Sequence, residues 1–216
     1  MTRLILMLFV MALTGGCVSL TPTQQRGADE VRAMADELAR VYKVRRIAVL
    51  IGDNVEGVGG TYRHGLFTIT TSMLTSKYRD QIVAHELAHY LLDHDRPLAG
   101  TLSLDWQREQ ELRELDANAK SVEVLMRVRG LAEDAALRRV YDYLLAWNRL
   151  VAARRTVIPW GHRAPCEEIA ELLGRFPQHR AWSAALECAP RERAPAQVGK
   201  SGGGSDGASR ANSLPG

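Results

Sequence analysis

The segment VAHELAHYLLDH, residues 83–94, constrains the fold of this 216-residue chain more than any other stretch. Its apolar side chains recur at helical spacing and form one stripe: Val83, Leu87, Tyr90 and Leu91. His85 and His89 are four residues apart, so both imidazole rings project from one face of a helix. The pattern predicts an amphipathic helix that packs on the core and presents both histidines to a cleft.

The same segment contains the H-E-x-x-H pattern, with Glu86 between the two histidines. Zinc accepts imidazole nitrogens in a tetrahedral arrangement, and the spacing of His85 and His89 supplies two such ligands. Glu86 lies about 100° around the helix axis from His85, too far round to be a ligand beside it. It can instead take a proton from water at the metal. The pattern therefore predicts Zn²⁺ as the cofactor and Glu86 as the general base.

A catalytic zinc site takes three protein ligands, and His94 does not fit as the third. His94 follows His89 by five residues, which places it about 140° away around a helix. Metzincin spacing would need glycine at position 92 and histidine at position 95, where this chain has Leu92 and Asp95. We therefore expect His94 to lie beside the ligand histidines or at the surface.

The next long helical pattern, residues 104–129, offers a better third ligand in Glu114. Ala117 and Ser121 are small enough to let this helix approach the motif helix closely. Asn118 follows Glu114 by one turn on the same face, where its side chain can bond the outer nitrogen of a ligand histidine. These features make Glu114 the better candidate for the third ligand and Asn118 a candidate for orienting a histidine.

Two nearby carboxylates test this choice of ligand. Glu111 lies one turn before Glu114, close to the same face, and stays open as an alternative ligand. Asp116 points about 160° away from Asn118 around the helix, so we expect it to face solvent.

Taken together, the segments HELAHYLLDH and ELDANAKSVEVLM resemble gluzincin-type metallopeptidases, between the HtpX-like and the ImmA/IrrE-like groups. The resemblance covers about residues 64–126. It implies three zinc ligands: His85, His89 and Glu114. It also implies that the strand LFTITTSML, residues 66–74, is an edge strand that pairs with an extended substrate. The roles of Glu86 as base and Asn118 as orienting residue carry over in the same way.

The function that these residues indicate is a zinc-dependent endopeptidase acting on polypeptide substrates. Glu86 would take the proton of the attacking water and pass it to the leaving amine. Such sites also need a second electrophile for the negative charge that develops. The sequence does not select among the available side chains: Tyr143, His162, His64 and Arg163. The alternative is a catalytically silent module that binds metal or a protein, although such a module would not need Glu86.

The order of the patterns predicts an α+β fold, a mostly helical zincin-like domain with a small β-sheet before the active-site helix. We place this metallopeptidase domain at residues 24–190. β-formers favour strands at residues 44–52 and 66–70, with a Gly-rich turn before the second. Residues 191–216 are nearly all small or polar, which predicts a disordered tail. The net charge of +3, without a basic stripe, argues against a nucleic-acid partner.

The N-terminal sequence predicts export. Residues 1–16 combine a basic start, a short apolar run and small residues, as in a signal peptide. Cys17 then fits a bacterial lipobox, which makes it the lipidated N-terminus, with residues 17–23 as a tether. The absence of aspartate at Val18 favours, by resemblance, the outer membrane, with the protein facing the periplasm.

Export also affects how the remaining cysteines are interpreted. Cys166 and Cys188 form an even pair in a compartment that permits oxidation. They flank two short helical patterns, so a disulfide between them would close a helical hairpin near the end of the domain. The alternative is a pair of free buried thiols.

Overall fold

A computed structural model describes residues 19–52, 59–95 and 104–184. The helices are α1 (Pro22–Tyr42), α2 (Arg79–Leu91), α3 (Leu104–Arg129), α4 (Glu133–Ala152) and α5 (Pro165–Arg175). The strands are β1 (Ala48–Ile51), β2 (Gly60–Arg63) and β3 (Leu66–Ile69), and short 3₁₀ turns cover Met73–Thr75 and Pro177–Ala184. The predicted α+β class is confirmed, with the sheet before the motif helix α2.

Several predictions fall on residues outside these ranges. They are the signal peptide at 1–16, lipidation of Cys17, the position of Cys188 and the tail at 191–216. Among the described helices, none combines the length and the apolar character needed to cross a bilayer.

Helix α1 begins at Pro22, where its first turn is capped. The Thr21 hydroxyl accepts a hydrogen bond from the Gln24 amide, and the Gln24 side chain accepts one from the Thr21 amide. Pro22 occupies the first turn, where its missing N–H costs nothing. Residues 22 and 23, predicted as tether, therefore belong to the helix.

The sheet contains a strand that the sequence interpretation missed. Its order is β1-β3-β2, with β1 parallel and β2 antiparallel to β3. A two-residue turn joins β2 to β3, and both His64 and Gly65 adopt positive φ angles of 52° and 74°. The turn was hard to recognise because histidine, rather than asparagine or aspartate, precedes the glycine.

The prediction that residues 66–74 form the substrate-facing edge strand is wrong. The strand in this segment, β3, ends at Ile69 and is hydrogen-bonded on both sides, by β1 and by β2. Among the described strands, β2 is the edge strand beside α2. Because both sides of β3 are already paired, β2 and β1 are the strands, among residues 19–52, 59–95 and 104–184, to which an incoming chain can add.

The predicted close approach of the motif helix to the next helix is present. Ala84 and Ala88 on α2, and Ala117 and Ser121 on α3, are fully buried. Gln81 Nε2 donates a hydrogen bond to Ser121 Oγ at 3.3 Å, which ties the two helices together. Helices α4 and α5 pack behind α3 and close the back of the cleft described next.

Candidate metal centre and active-site cleft

A cleft of about 620 Å³ opens between strand β2 and the helices α2, α3 and α4. Its lining includes both motif histidines, Glu86 and Glu114. The opposite wall comes from the segment between α4 and α5, which contributes Trp160 and His162. The motif helix therefore presents its polar face to an open space, as the sequence predicts.

Three side chains converge at the base of this cleft: His85, His89 and Glu114. His85 Nε2 lies 3.0 Å and His89 Nε2 lies 3.2 Å from Glu114 Oε2, and the two nitrogens are 3.1 Å apart. Ligands about 2.0–2.1 Å from a tetrahedral metal would be roughly 3.3 Å apart, close to this spacing. Two imidazole nitrogens and one carboxylate oxygen are also the donor types that zinc accepts. The arrangement fits a metal ion, and we call these three residues the metal group.

Each member of the metal group is held from behind by another side chain. His85 Nδ1 lies 3.0 Å from Asn118 Oδ1, the contact expected from the sequence. His89 Nδ1 lies 2.8 Å from His94 Nδ1. Gln110 Nε2 donates to Glu114 Oε1 at 2.9 Å. These contacts leave both Nε2 atoms and one carboxylate oxygen directed toward a common point.

His94 reaches His89 because α2 ends before it. The helix stops at Leu91, and Asp93 adopts a positive φ of 56°, which turns the chain back. Burial, reinforced by the nearby His89 and Arg113, lowers the pKa of His94 to about 4. The ring is therefore neutral and can accept a hydrogen bond from His89 Nδ1.

Charge at the metal group is concentrated on Glu114, of which only 7% is exposed. Burial alone would raise the pKa of its carboxyl. The charge of His89 and hydrogen bonds to His85 and His89 outweigh burial and hold the pKa well below the usual range. Glu114 thus stays ionised and provides the negative charge that attracts a cation.

Glu86 stands beside the metal group at the strand side of the cleft. Burial raises the pKa of its carboxyl, with His85 and His89 opposing the shift. A Cβ on Gly60 would lie only 3.2 Å from Glu86 Cγ, so glycine allows β2 to approach this side chain. A carboxylate with a raised pKa that opens onto the cleft suits a general base.

The two competing carboxylates are engaged elsewhere. Glu111 Oε2 accepts a hydrogen bond from Arg163 Nε at 3.1 Å. Asp116 Oδ1 pairs with Arg175 Nη2 at 2.7 Å, with nearly half of its side chain exposed. Of the three acidic residues considered on this stretch of α3, the structure brings Glu114 to the histidines.

The four side chains predicted as possible electrophiles lie at different distances from the metal group. His162 Nε2 lies 3.5 Å from Glu114 Oε2, and Tyr143 lines the same cleft. His64 sits on the β2–β3 turn with 91% of its side chain exposed, so it reaches only the outer rim. Arg163 points away, toward Glu111. His162 and Tyr143 are thus the two candidates at the centre of the cleft.

Comparison with known proteins gives a match to part of the chain. Residues 60–155 match the family model of the IrrE N-terminal-like domain, Peptidase_M78. The match supports the ImmA/IrrE-like side of the resemblance and a metallopeptidase type of domain. It runs from β2 through α4 and includes the metal group and Glu86. No curated protein and no solved structure matches the chain.

The IrrE-like match ends before two polar residues of the cleft, His162 and Glu168. Sequence reasoning missed Glu168, of which 1% is exposed. The signal was present, because Glu168 shares the apolar face of α5 with Ile169 and Leu172. A glutamate on a buried helix face needs partners, and here they are Asn118 and His162.

Cys166, in the first turn of α5, is disulfide-bonded. Its predicted partner Cys188 lies outside the described residues, so the pairing itself stays a prediction.

Proposed function

We propose that the chain is a zinc-dependent endopeptidase. The observation that carries this proposal is the convergence of the metal group within 4.8 Å at the base of an open cleft, with Glu86 on the same cleft. A structural zinc site usually has four closed protein ligands, whereas the group found among the described residues has three. Three ligands and access from solvent favour a catalytic site.

The residues of the chain divide the chemistry among them. Bound zinc would supply a Lewis acid for the scissile carbonyl and lower the pKa of a water molecule. Glu86 would accept the proton of the attacking water and then donate it to the leaving amine. His162 and Tyr143 would donate hydrogen bonds to the substrate oxygen that becomes negative.

The proposed substrate is a polypeptide in extended conformation. One side of β2 pairs with β3, and Gly60, Thr61, Tyr62 and Arg63 all line the cleft. An extended peptide can add to such an edge through backbone hydrogen bonds. Because Gly60 packs against Glu86, a chain added to β2 would pass directly over the proposed base.

Glu86→Gln tests the proposal. The substitution keeps the metal group and removes proton transfer, so we expect unchanged zinc stoichiometry and a loss of peptide cleavage of about 10²–10⁴-fold. Metal content and digestion of an unbiased peptide library are measured on one preparation. Glu167→Gln, at an exposed position on α5, is the control and should retain full activity. Undiminished cleavage by Glu86→Gln would exclude this mechanism.

The alternative function, a silent module that binds metal or a protein, has a separate outcome in the same experiment. It predicts that zinc-loaded wild-type protein cleaves no peptide in the library. The match to the IrrE-like family leaves this open, because that family includes regulatory members.

We further propose that the protein works in the bacterial envelope, anchored by lipid on Cys17 to the outer membrane and facing the periplasm. The support is the N-terminal sequence alone, and several acyl chains on one cysteine suffice for stable anchoring. Cys17→Ser should move the protein from the membrane fraction to the soluble periplasm. Wild-type protein that is wholly soluble would remove the anchor from the proposal and leave the site unaffected.

A further inference from the structure

Glu168 is a buried carboxylate that lies beside the cleft and beyond the IrrE-like match. Its Oε2 accepts a hydrogen bond from Asn118 Nδ2 at 2.8 Å. Its Oε1 lies 3.0 Å from His162 Nδ1. A charge removed from water in this way must be satisfied by polar partners, and both of these partners lead to the metal group.

The contacts from Glu168 to Asn118 and from Asn118 to His85, here called the Asn118 arm, determine which nitrogen of His85 faces the metal group. Because Asn118 Nδ2 donates to Glu168 Oε2, the NH₂ group of the Asn118 amide is turned toward Glu168. The amide oxygen then faces His85 Nδ1 at 3.0 Å, and that nitrogen must carry the proton. His85 Nε2, 3.0 Å from Glu114 Oε2, is then the ring nitrogen whose lone pair is available to a bound metal.

The contact from Glu168 to His162, here called the His162 arm, determines the position of the His162 imidazole in the cleft. His162 belongs to the irregular segment between α4 and α5, where no helical hydrogen bonds define the direction of its side chain. Glu168 holds Nδ1, and Trp147 packs edge-on against the ring at a centroid distance of 5.2 Å. Together these contacts direct Nε2 toward Glu114 Oε2, at 3.5 Å.

We propose that Glu168 is a positioning residue that couples the two halves of the centre. Through Asn118 it sets the tautomer of His85 for metal binding. Through the imidazole of His162 it holds an electrophile at the cleft. The first role concerns metal binding alone, whereas the second rests on the proposed peptidase function.

Glu168→Gln tests both roles. Glutamine has the same size, but its NH₂ group can donate to Asn118, which lets that amide turn and place the proton on His85 Nε2. We expect zinc affinity, measured by competition with a chromophoric chelator, to fall about 10–100-fold. We also expect kcat to fall with little change in KM. Glu168→Asp keeps an acceptor-only carboxylate and should recover part of both losses, whereas the control Glu167→Gln should change neither.

Double-mutant cycles separate the two arms. In an Asn118→Ala background, Glu168→Gln should cost no further zinc affinity. In a His162→Gln background, it should cost no further kcat. Fully additive losses in both cycles would overturn the proposal, as would a Glu168→Gln protein whose zinc affinity and kcat both stay within about twofold of wild type.

If Glu168→Gln does not fold, as judged by circular dichroism, single variants of Asn118 and His162 test the two roles separately. Asn118→Ala should lower zinc affinity, and His162→Gln should lower kcat without lowering zinc affinity. Two variants that impair the same single quantity would refute separate arms.

The zinc measurements need no substrate, which keeps this inference distinct from the proposed function. A wild-type protein that binds zinc and cleaves no peptide would reject the peptidase. Chelator titration of the Asn118 and Glu168 variants would still decide whether Glu168 sets the orientation of His85.

Discussion

Two regions on opposite sides of the cleft place their polar groups in different ways. The motif region, residues 85–118, carries the metal group on two regular helices, with His85 and His89 one turn apart. The support region, residues 159–168, carries His162 on an irregular segment and Glu168 in the first turn of α5. Helical spacing alone brings the two motif histidines to one face, whereas contacts with α3 and α4 position the support region.

This difference teaches what each region contributes. A side chain lost from the metal group removes a donor atom, so metal binding itself should fail. A side chain lost from the support region leaves all three metal donors in place and affects how His85 is oriented or how the substrate oxygen is stabilised. The two regions should therefore differ in which measured quantity falls and by how much.

The largest effect is expected at Glu114, in the motif region. Glu114→Ala leaves two nitrogen donors and removes the buried negative charge, so zinc affinity should fall by more than the about 10–100-fold typical of outer partners. Chelator competition measures the loss. Asp116→Ala, whose carboxylate pairs with Arg175, is the matched control and should do little.

Glu111→Ala checks the assignment of the ligand. Glu111 is held by Arg163 rather than directed at the histidines, so its loss should affect zinc binding far less than the loss of Glu114. If Glu111→Ala proved the more damaging substitution, the assignment would be off by one turn. Asn118 would then lose its role as well.

A smaller effect is expected where the sheet meets the motif region. A Cβ at Gly60 would lie 3.1 Å from Ile82 Cγ2 and 3.2 Å from Glu86 Cγ. Gly60→Ala should therefore destabilise the fold by about 1–3 kcal/mol and lower kcat by displacing Glu86, with zinc affinity retained. Denaturant unfolding and zinc titration measure these quantities. Gly52→Ala is the control, since a Cβ there has nothing within 4 Å; equal behaviour of the two variants would contradict the steric argument.

The smallest effect is expected at Arg163, beside the support histidine. Its guanidinium pairs with Glu111 at 3.1 Å and with Glu171 at 3.5 Å, both at partly exposed positions. Such pairs contribute about 0–1 kcal/mol, so Arg163→Gln should change kcat by about threefold or less. Steady-state kinetics measures this. A loss as large as that of His162→Gln would mean that Arg163 reaches the substrate and that the two regions are not divided as described.

The sequence was sufficient for the motif region because a helix repeats every 3.6 residues. That period places His85 and His89 on one face and Glu114 and Asn118 on another, and small residues at Ala117 and Ser121 indicate where the two faces meet. The long helix predicted at 104–129 has the bounds that the structure shows.

The sequence was insufficient wherever a residue's role depends on a distant partner. Strand β2 has only four residues, and the ladder with β3 is what defines it and makes it the edge strand. His162 was one of four equivalent electrophile candidates, and Glu168 was not considered at all. Glu168 lies 50 residues beyond Asn118 and meets it only after α5 packs behind α3.

The sequence by itself thus determined the two motif histidines and the proposed base, because these follow from periodicity within one helix. The order of the helical and strand patterns determined the α+β class, and the third ligand was narrowed to Glu114 with Glu111 as its alternative. The tertiary structure alone decided the edge strand and the buried carboxylate of Glu168. It also decided that His162, rather than His64, lies at the centre of the cleft. The physical reason is that an edge strand and a buried polar side chain form hydrogen bonds with whichever groups packing brings near. The spacing of residues within one helix or strand does not specify those distant partners.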